Sequence, residues 1–378
     1  MRNPLPIQKL MLGLLLLTGC ATQQPMTPIP PEWAKTGGTA DASGTAKTIN
    51  RQATPVGHYR AATVTGDYAG YSDLNRFIER MVNEQGFSRE YLNGLFSQAH
   101  RKQWTIDYMN KQAPVPSGGA KPRAGGWTTF CARFLDEQHI AKGAAFWRQH
   151  AQALQRASER YGVPPEYVLG IMGVETIYGG NVGNHRIIDA LTTLAFDYPR
   201  RAEYFTQELT DFLLMARNEG FDPSQPVGSF AGAMGLGQFM PGSFLRWAVD
   251  FDGDGRRNLW DPEDAIGSIS NYFAEHGWRP SEPVATPAIA NSPVVQNMEA
   301  GFDTHYNLTT LTAAGVRPVQ ACPVNDDLRL LRLRAKSGDE YWLGHQNFYV
   351  ITRYNNNTYY AMTVHQLAQA IKARYMGL

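Results

Sequence analysis

Glu175 follows Val168, Ile171 and Met172 by seven, four and three positions. On a helix that spacing places its carboxylate on one face with three apolar side chains. A carboxyl group kept from water holds its proton nearer neutral pH, which is the property a general acid needs. Glu175 is therefore the candidate catalytic residue. The same spacing also fits a solvent-facing glutamate on a helix that is apolar nearly all round.

Two further runs carry chemistry. Ser229-Phe230-Ala231-Gly232-Ala233-Met234-Gly235-Leu236-Gly237-Gln238-Phe239-Met240-Pro241 sets small residues ahead of an apolar helix. Glycine allows backbone to approach a ligand closely, and Gln238 offers both a donor and an acceptor. A tight turn between helices would use the same residues. The loop from Asp250 to Asp261 has carboxylates at positions 1, 3, 5 and 12 (Asp250, Asp252, Asp254, Asp261) and glycine at position 6. This is the EF-hand order for Ca²⁺, with the Arg256 carbonyl at position 7 as a further oxygen. Asp replaces the usual Glu at position 12, and Arg256 and Arg257 offset part of the loop charge. A solvated Asp-Gly turn is the plainer alternative.

The elements that must hold these groups are mostly helical. Val163-Pro164-Pro165 suits a helix start before Glu175, and Gly179-Gly180 suits its end. Phe77, Met81, Phe87, Tyr91, Leu92, Leu95 and Phe96 recur at helical spacing, and helices are predicted to resume at Trp127 after a Pro/Gly-rich loop over 112–126. From Pro280 to about Tyr354 alternating patterns and the Ser337-Gly338-Asp339 turn predict a small antiparallel β unit. Helical periodicity returns at Met362, Val364, Leu367, Ala368 and Ile371, so the β unit reads as an insertion. The expected class is α+β, predominantly α.

Composition narrows the partners. Lys+Arg 35 against Asp+Glu 34 gives a net charge of +1, which argues against the basic field of a nucleic-acid binder. With 378 residues and 43% hydrophobic content, the chain can bury a large core. Arg2 and Lys9, an apolar run from Leu10 to Leu17 and Leu17-Thr18-Gly19-Cys20 read as an export signal, too short to span a bilayer. The tetrapeptide resembles a bacterial lipobox. On that reading Cys20 carries lipid, and Ala21 after it suits sorting to the outer membrane; an ordinary secretory signal with a chance cysteine is the alternative. Residues 21–61 have too few apolar groups to fold and form a tether. Cys131 and Cys322 remain, either as two buried thiols or as a disulfide.

Gly173-Val174-Glu175-Thr176, the Gly235 to Pro241 run and the Asp250 loop ending Asn258-Leu259-Trp260-Asp261-Pro262, in this order and spacing, resemble the membrane-bound lytic murein transglycosylase B family. The likeness covers nearly all of the chain after the tether. It implies a lysozyme-like core over 146–281, a helical domain over 62–145, a β domain over 282–350 and a returning segment over 351–378, behind a signal over 1–20. It also implies cleavage of the β-1,4 bond between N-acetylmuramic acid and N-acetylglucosamine of peptidoglycan, with a 1,6-anhydro product and Glu175 as acid and then base. Carried over by position, Ser229 would hydrogen-bond near Glu175, Gln238 would hold the acetamido group, and Tyr272, Tyr354, Asn355 and Tyr360 would line the sugar cleft. Arg200 and Arg201 would meet the carboxylates of the peptide stem. The implied cofactor is Ca²⁺ alone, and the implied partners are the glycan strands, the lipid anchor and other cell-wall enzymes. The sequence departs from the family's pattern at Phe130, where a tyrosine is usual, and at Arg257, loop position 8, where an apolar residue is usual. Two alternatives stay open: a hydrolytic muramidase using Asp189 or Asp197 as a second carboxylate, and an inactive peptidoglycan-binding lipoprotein.

Overall fold

Three short amphipathic runs fold as α1 (Ser72–Gln85), α2 (Arg89–Phe96) and α3 (Gln103–Gln112). Leu74, Phe77, Ile78 and Met81 form the buried stripe of α1, which ends at Gly86 in the left-handed conformation. The Ser88 hydroxyl caps α2 by accepting from the Tyr91 N–H at 3.2 Å. The structure is a computed structural model and describes residues 54–112 and 124–378. Cys20, the signal, most of the tether and the greater part of the expected 112–126 loop lie outside the described residues.

After α4 (Gly126–Cys131), α5 (Glu137–Gln149) and α6 (Ala151–Tyr161) comes α7 (Pro165–Thr176), which carries Glu175. It is followed by β1 (His185–Arg186), α8 (Ile187–Asp197), α9 (Ala202–Glu219), β2 (Val227–Gly228), α10 (Pro241–Trp247) and α11 (Pro262–Glu275). The β unit contains β3 (Ala285–Ala290), α12 (Leu308–Ala313), β4 (Val316–Pro318), β5 (Arg329–Ala335) and β6 (Gly338–Gly344). The chain closes with α13 (Gln346–Tyr354) and α14 (Thr358–Met376).

Every residue of α7 from Glu166 to Thr176 is buried, so the expected single apolar stripe gives way to a helix enclosed on all sides. Its two interior glycines explain how. A Cβ on Gly170 would lie 2.8 Å from the Val364 carbonyl oxygen, and one on Gly173 would lie 2.8 Å from Leu367 Cδ2. Both glycines therefore admit α14 against α7, which outweighs their cost in helix propensity. At the far end of the same contact Lys372 Nζ meets Glu166 Oε1 at 2.8 Å.

The four-stranded sheet runs β4-β3-β6-β5, antiparallel throughout. Strand alternation divides its side chains between two cores. Leu330, Tyr341 and Leu343 pack with Val295, Leu311, Val316 and Leu328, whereas Leu331, Leu333 and Ala335 join the main core. That main core runs without a break from Tyr59 to Ile371. The expected α+β, mostly helical class holds. Residues 346–354, expected inside the β unit, form α13 instead, because Asn347, Phe348, Ile351 and Thr352 bury one helical face.

Cys131 and Cys322 are both free, half-buried thiols. Cys131 packs against the main core and Cys322 against the small one, so no disulfide joins them. Among the described residues no helix is long and apolar enough to cross a membrane.

Candidate active site

Glu175 stands one residue before the end of α7, and the chain then reverses at non-glycine residues. Ile177 and Tyr178 have φ of 53° and 58°, three and two residues ahead of the expected Gly180 terminus. Side chains resist this conformation by about 1–2 kcal/mol each. Backbone bonds hold it: the Ile177 N–H donates to the Gly173 carbonyl at 3.1 Å and the Tyr178 N–H to Met172 at 3.2 Å. The Thr176 hydroxyl, 2.9 Å from the Leu236 carbonyl, accepts from the Gly179 N–H at 3.1 Å. The helix end is thus tied to the glycine-rich run, where Gln238 also has a positive φ of 54°. Backbone strain collects around Glu175, as it does at many functional sites.

Only 9% of Glu175 is exposed. Burial lifts its carboxyl to about 7, and the Tyr360 hydroxyl, donating to Oε1 at 2.6 Å, holds it from going higher. No charged side chain takes part in the shift. Burial, and then the Glu175 charge, keep the Tyr354 and Tyr360 phenols protonated well above their usual range, so both are donors at neutral pH.

Two of the expected tyrosines, Tyr272 and Tyr354, pack into one wall, whereas Tyr360 is fully buried and bonds to Glu175. The Tyr354 hydroxyl donates to the Gly237 carbonyl at 2.5 Å, and the Tyr272 hydroxyl to the Arg353 carbonyl at 2.6 Å. Their rings meet edge to face at 4.9 Å, and Phe239 packs 5.8 Å from each. Asn355, buried at the end of α13, completes the return of the chain. Gln238 is buried, and its side-chain N–H groups donate to the Gly235 and Val182 carbonyls at 2.9 and 3.2 Å. Its amide oxygen is the group left for a ligand.

Ser229 is buried beside this wall, but its hydroxyl accepts from the Ala231 and Ala233 N–H groups at 3.3 and 2.9 Å. Among the described residues it makes no hydrogen bond to Glu175; it shapes the loop instead. Arg200 and Arg201 sit in a turn before α9. Arg200 is exposed, and Arg201 stacks its guanidinium 4.2 Å above Tyr204. The two rival carboxylates are already paired: Asp189 with Lys102 at 3.2 Å and Arg186 at 3.4 Å, Asp197 with Arg101 at 3.1 Å. Phe130 is half-buried and packs against Phe134 and Tyr359.

The acidic loop is closed by its own backbone. Asp250, Asp252 and Asp254 offer oxygens within 4.8 Å of one another, with Gly253 and Gly255 at φ of 82° and 91°. Against the Asp254 N–H that favours its charged form, burial and the charges of Asp254, Asp261 and Asp250 raise the Asp252 carboxyl. A divalent cation would relieve that repulsion, so the donor set fits Ca²⁺. Asp261 lies outside the close trio and caps α11, accepting from the Glu263 N–H at 2.8 Å. The Arg256 N–H donates to Asp254 Oδ1 at 2.8 Å. Asp264, which sequence reasoning passed over, accepts from the Phe251 and Asn258 N–H groups at 2.6 and 2.7 Å and staples the loop. Arg257 is buried where an apolar residue is usual: it meets Glu219 at 2.6 Å and stacks 4.8 Å above Phe244.

Comparison with known proteins agrees with this geometry. The family description "Transglycosylase SLT domain" matches residues 70–369. The chain is 49% identical over 309 residues to membrane-bound lytic murein transglycosylase B of Escherichia coli (strain K12), covering 81% of this chain and 84% of that one. Its fold is similar to Escherichia coli lytic transglycosylase Slt35 in complex with calcium, with a TM-score of 0.78 and 47% identity over 83% of this chain and 97% of that one. SltB3 from Pseudomonas aeruginosa, solved with NAG-anhNAM-pentapeptide, matches at a TM-score of 0.69 and 27% identity over 80% of each chain. The chain belongs to the membrane-bound lytic murein transglycosylase B family, within the transglycosylase SLT group of enzymes.

Proposed function

We propose that this enzyme is a lytic transglycosylase that cuts the β-1,4 bond between N-acetylmuramic acid and N-acetylglucosamine in peptidoglycan, with Glu175 as the single proton carrier. The observation that carries this reading is a sheltered carboxyl whose affinity for its proton is raised by burial alone, to about 7. Protonated Glu175 gives its proton to the glycosidic oxygen as the bond to C1 breaks. The resulting carboxylate takes the proton of the muramoyl 6-hydroxyl as O6 bonds to C1, which returns the acid and leaves a 1,6-anhydro ring. The Tyr360 donor steadies the carboxylate between the two transfers. Gln238 receives the acetamido N–H, and the substrate's own acetamido oxygen supports the positive charge at C1. A water-activating second carboxylate has no clear candidate in Asp189 or Asp197, because each is held by a cation.

The same reading places Ca²⁺ in the Asp250 loop as a structural ion, held by Asp250, Asp252, Asp254, the Arg256 carbonyl and the free oxygen of Asp261. It assigns Arg200 to the peptide stem, where an exposed guanidinium suits a carboxylate. It anchors the chain to the periplasmic face of the outer membrane through lipid on Cys20, next to other cell-wall enzymes. The test is mass spectrometry of digested peptidoglycan. Muramic ends one water lighter than hydrolysed ends are expected, and ordinary reducing ends would overturn the proposal.

A further inference from the structure

Trp104 is the one exposed tryptophan among the described residues, with half of its surface open to solvent at 50%. Its ring is nonetheless held in place. Tyr108, one turn later on α3, stacks against it at 4.9 Å and 15°, and His185 of β1 stacks at 5.5 Å and 9°. Phe230 meets both Trp104 and Tyr108 edge to face, at 5.8 and 4.8 Å. These rings fix the orientation of the indole while half of the residue's surface stays open to solvent.

This platform is built on the substrate loop. Phe230 directly follows Ser229, and His185 pairs across β1 and β2 with Gly228, the residue before Ser229. The elements that shape the loop beside Glu175 are therefore the ones that orient Trp104. A polymeric substrate reaches beyond the sugars on either side of the broken bond, and a fixed aromatic face suits the apolar C–H face of a pyranose ring. The ring has already lost its rotational freedom, which lowers the cost of binding.

We propose that Trp104 is a distal saccharide subsite, which stacks a sugar of the glycan strand outside the Glu175 site and makes the enzyme favour long strands. This rests on the glycosidase reading above. The ligand is the sugar ring itself, since a flat uncharged indole face has nothing with which to select the carboxylates of a peptide stem.

The experiment uses uncleaved ligands without stems: chitobiose and chitohexaose titrated by calorimetry into Glu175→Gln and into Glu175→Gln with Trp104→Ala. Chitohexaose is expected to bind the second protein about three- to ten-fold more weakly, with chitobiose unchanged, and Trp104→Phe to retain most of the affinity. An identical gain on lengthening the ligand in both proteins would overturn the subsite. So would an equal loss for both ligands, because Trp104 would then only support the Phe230 loop. A Glu175→Gln protein that binds neither sugar would instead count against the glycosidase reading.

Discussion

The Tyr360 hydroxyl donates to Glu175 Oε1 across 185 residues of sequence, at 2.6 Å. One residue lies at the end of α7 and the other in the first turn of α14, so the packing of two helices sets the acidity of the Glu175 carboxyl. Replacing Tyr360 with Phe removes a bond to the charged form. The carboxyl is then expected to hold its proton to higher pH, and the alkaline limb of kcat/KM, expected near 7 in the wild type, to move upward. Turnover below that limb should fall about ten-fold or more. A pH–rate profile of both enzymes checks this, and an alkaline limb that stays in place would dissociate Tyr360 from the acid.

Glu175→Gln is expected to lose turnover by a factor on the order of 10² to 10⁴ while gaining stability. The sign follows from the raised folded-state value of about 7 against the ordinary 4.5. Below about 4.5 the carboxyl is protonated folded or unfolded, and no penalty exists. As pH rises through about 7 the folded protein must bury a charge, at a cost on the order of 3 kcal/mol that glutamine does not carry. The melting temperature of the variant should therefore exceed that of the wild type by a margin that grows between about pH 5 and pH 8. A constant difference across that range would place the carboxyl in water.

Chelation is expected to lower the melting temperature, by the coupling of ion binding to folding, and to leave activity measured far below melting largely unchanged. Asp252→Ala should abolish the response, because Asp250 and Asp254 would then face the ion without their central partner. Differential scanning calorimetry with and without chelator decides between a filled loop and an Asp-Gly turn.

Arg257→Leu restores the apolar character usual at that loop position and leaves Glu219 buried without its guanidinium, a side chain only 2% exposed. Loss of one partner of such a pair costs about 3–5 kcal/mol. The double variant with Glu219→Leu should recover much of it, since no charge is then stranded. Urea unfolding of the wild type, the single and the double variant measures the three stabilities; equal destabilisation in single and double would mean the pair does not act as a unit.

Much of the site was legible in local order because its chemistry is written in short runs. Glu175 before a turn, Gln238 among glycines and the alternating aspartates each need only a few neighbours to be recognised, and helical periodicity marked α1, α2 and the final helix. Thr176 was legible as a residue but not as a bridge, because its partner, the Leu236 carbonyl, is 60 positions away. Asp264 was missed for the opposite reason. It lies outside the twelve-residue loop pattern, and only the fold turns α11 so that its carboxylate meets the loop's N–H groups.

By itself the sequence determined the predominantly helical body and the inserted β unit and singled out Glu175 as the candidate acid, since these depend on spacing and on residue type. The tertiary structure decided how strongly that acid holds its proton, because burial comes from α14 closing over Gly170 and Gly173 and from a hydroxyl delivered by a distant helix. It also decided the fate of Arg257, whose charge conflicts with its loop position until Glu219 arrives from the end of α9. Desolvation and ion pairing depend on what lies within a few ångströms in space, and neighbours along the chain supply only a small share of that surrounding.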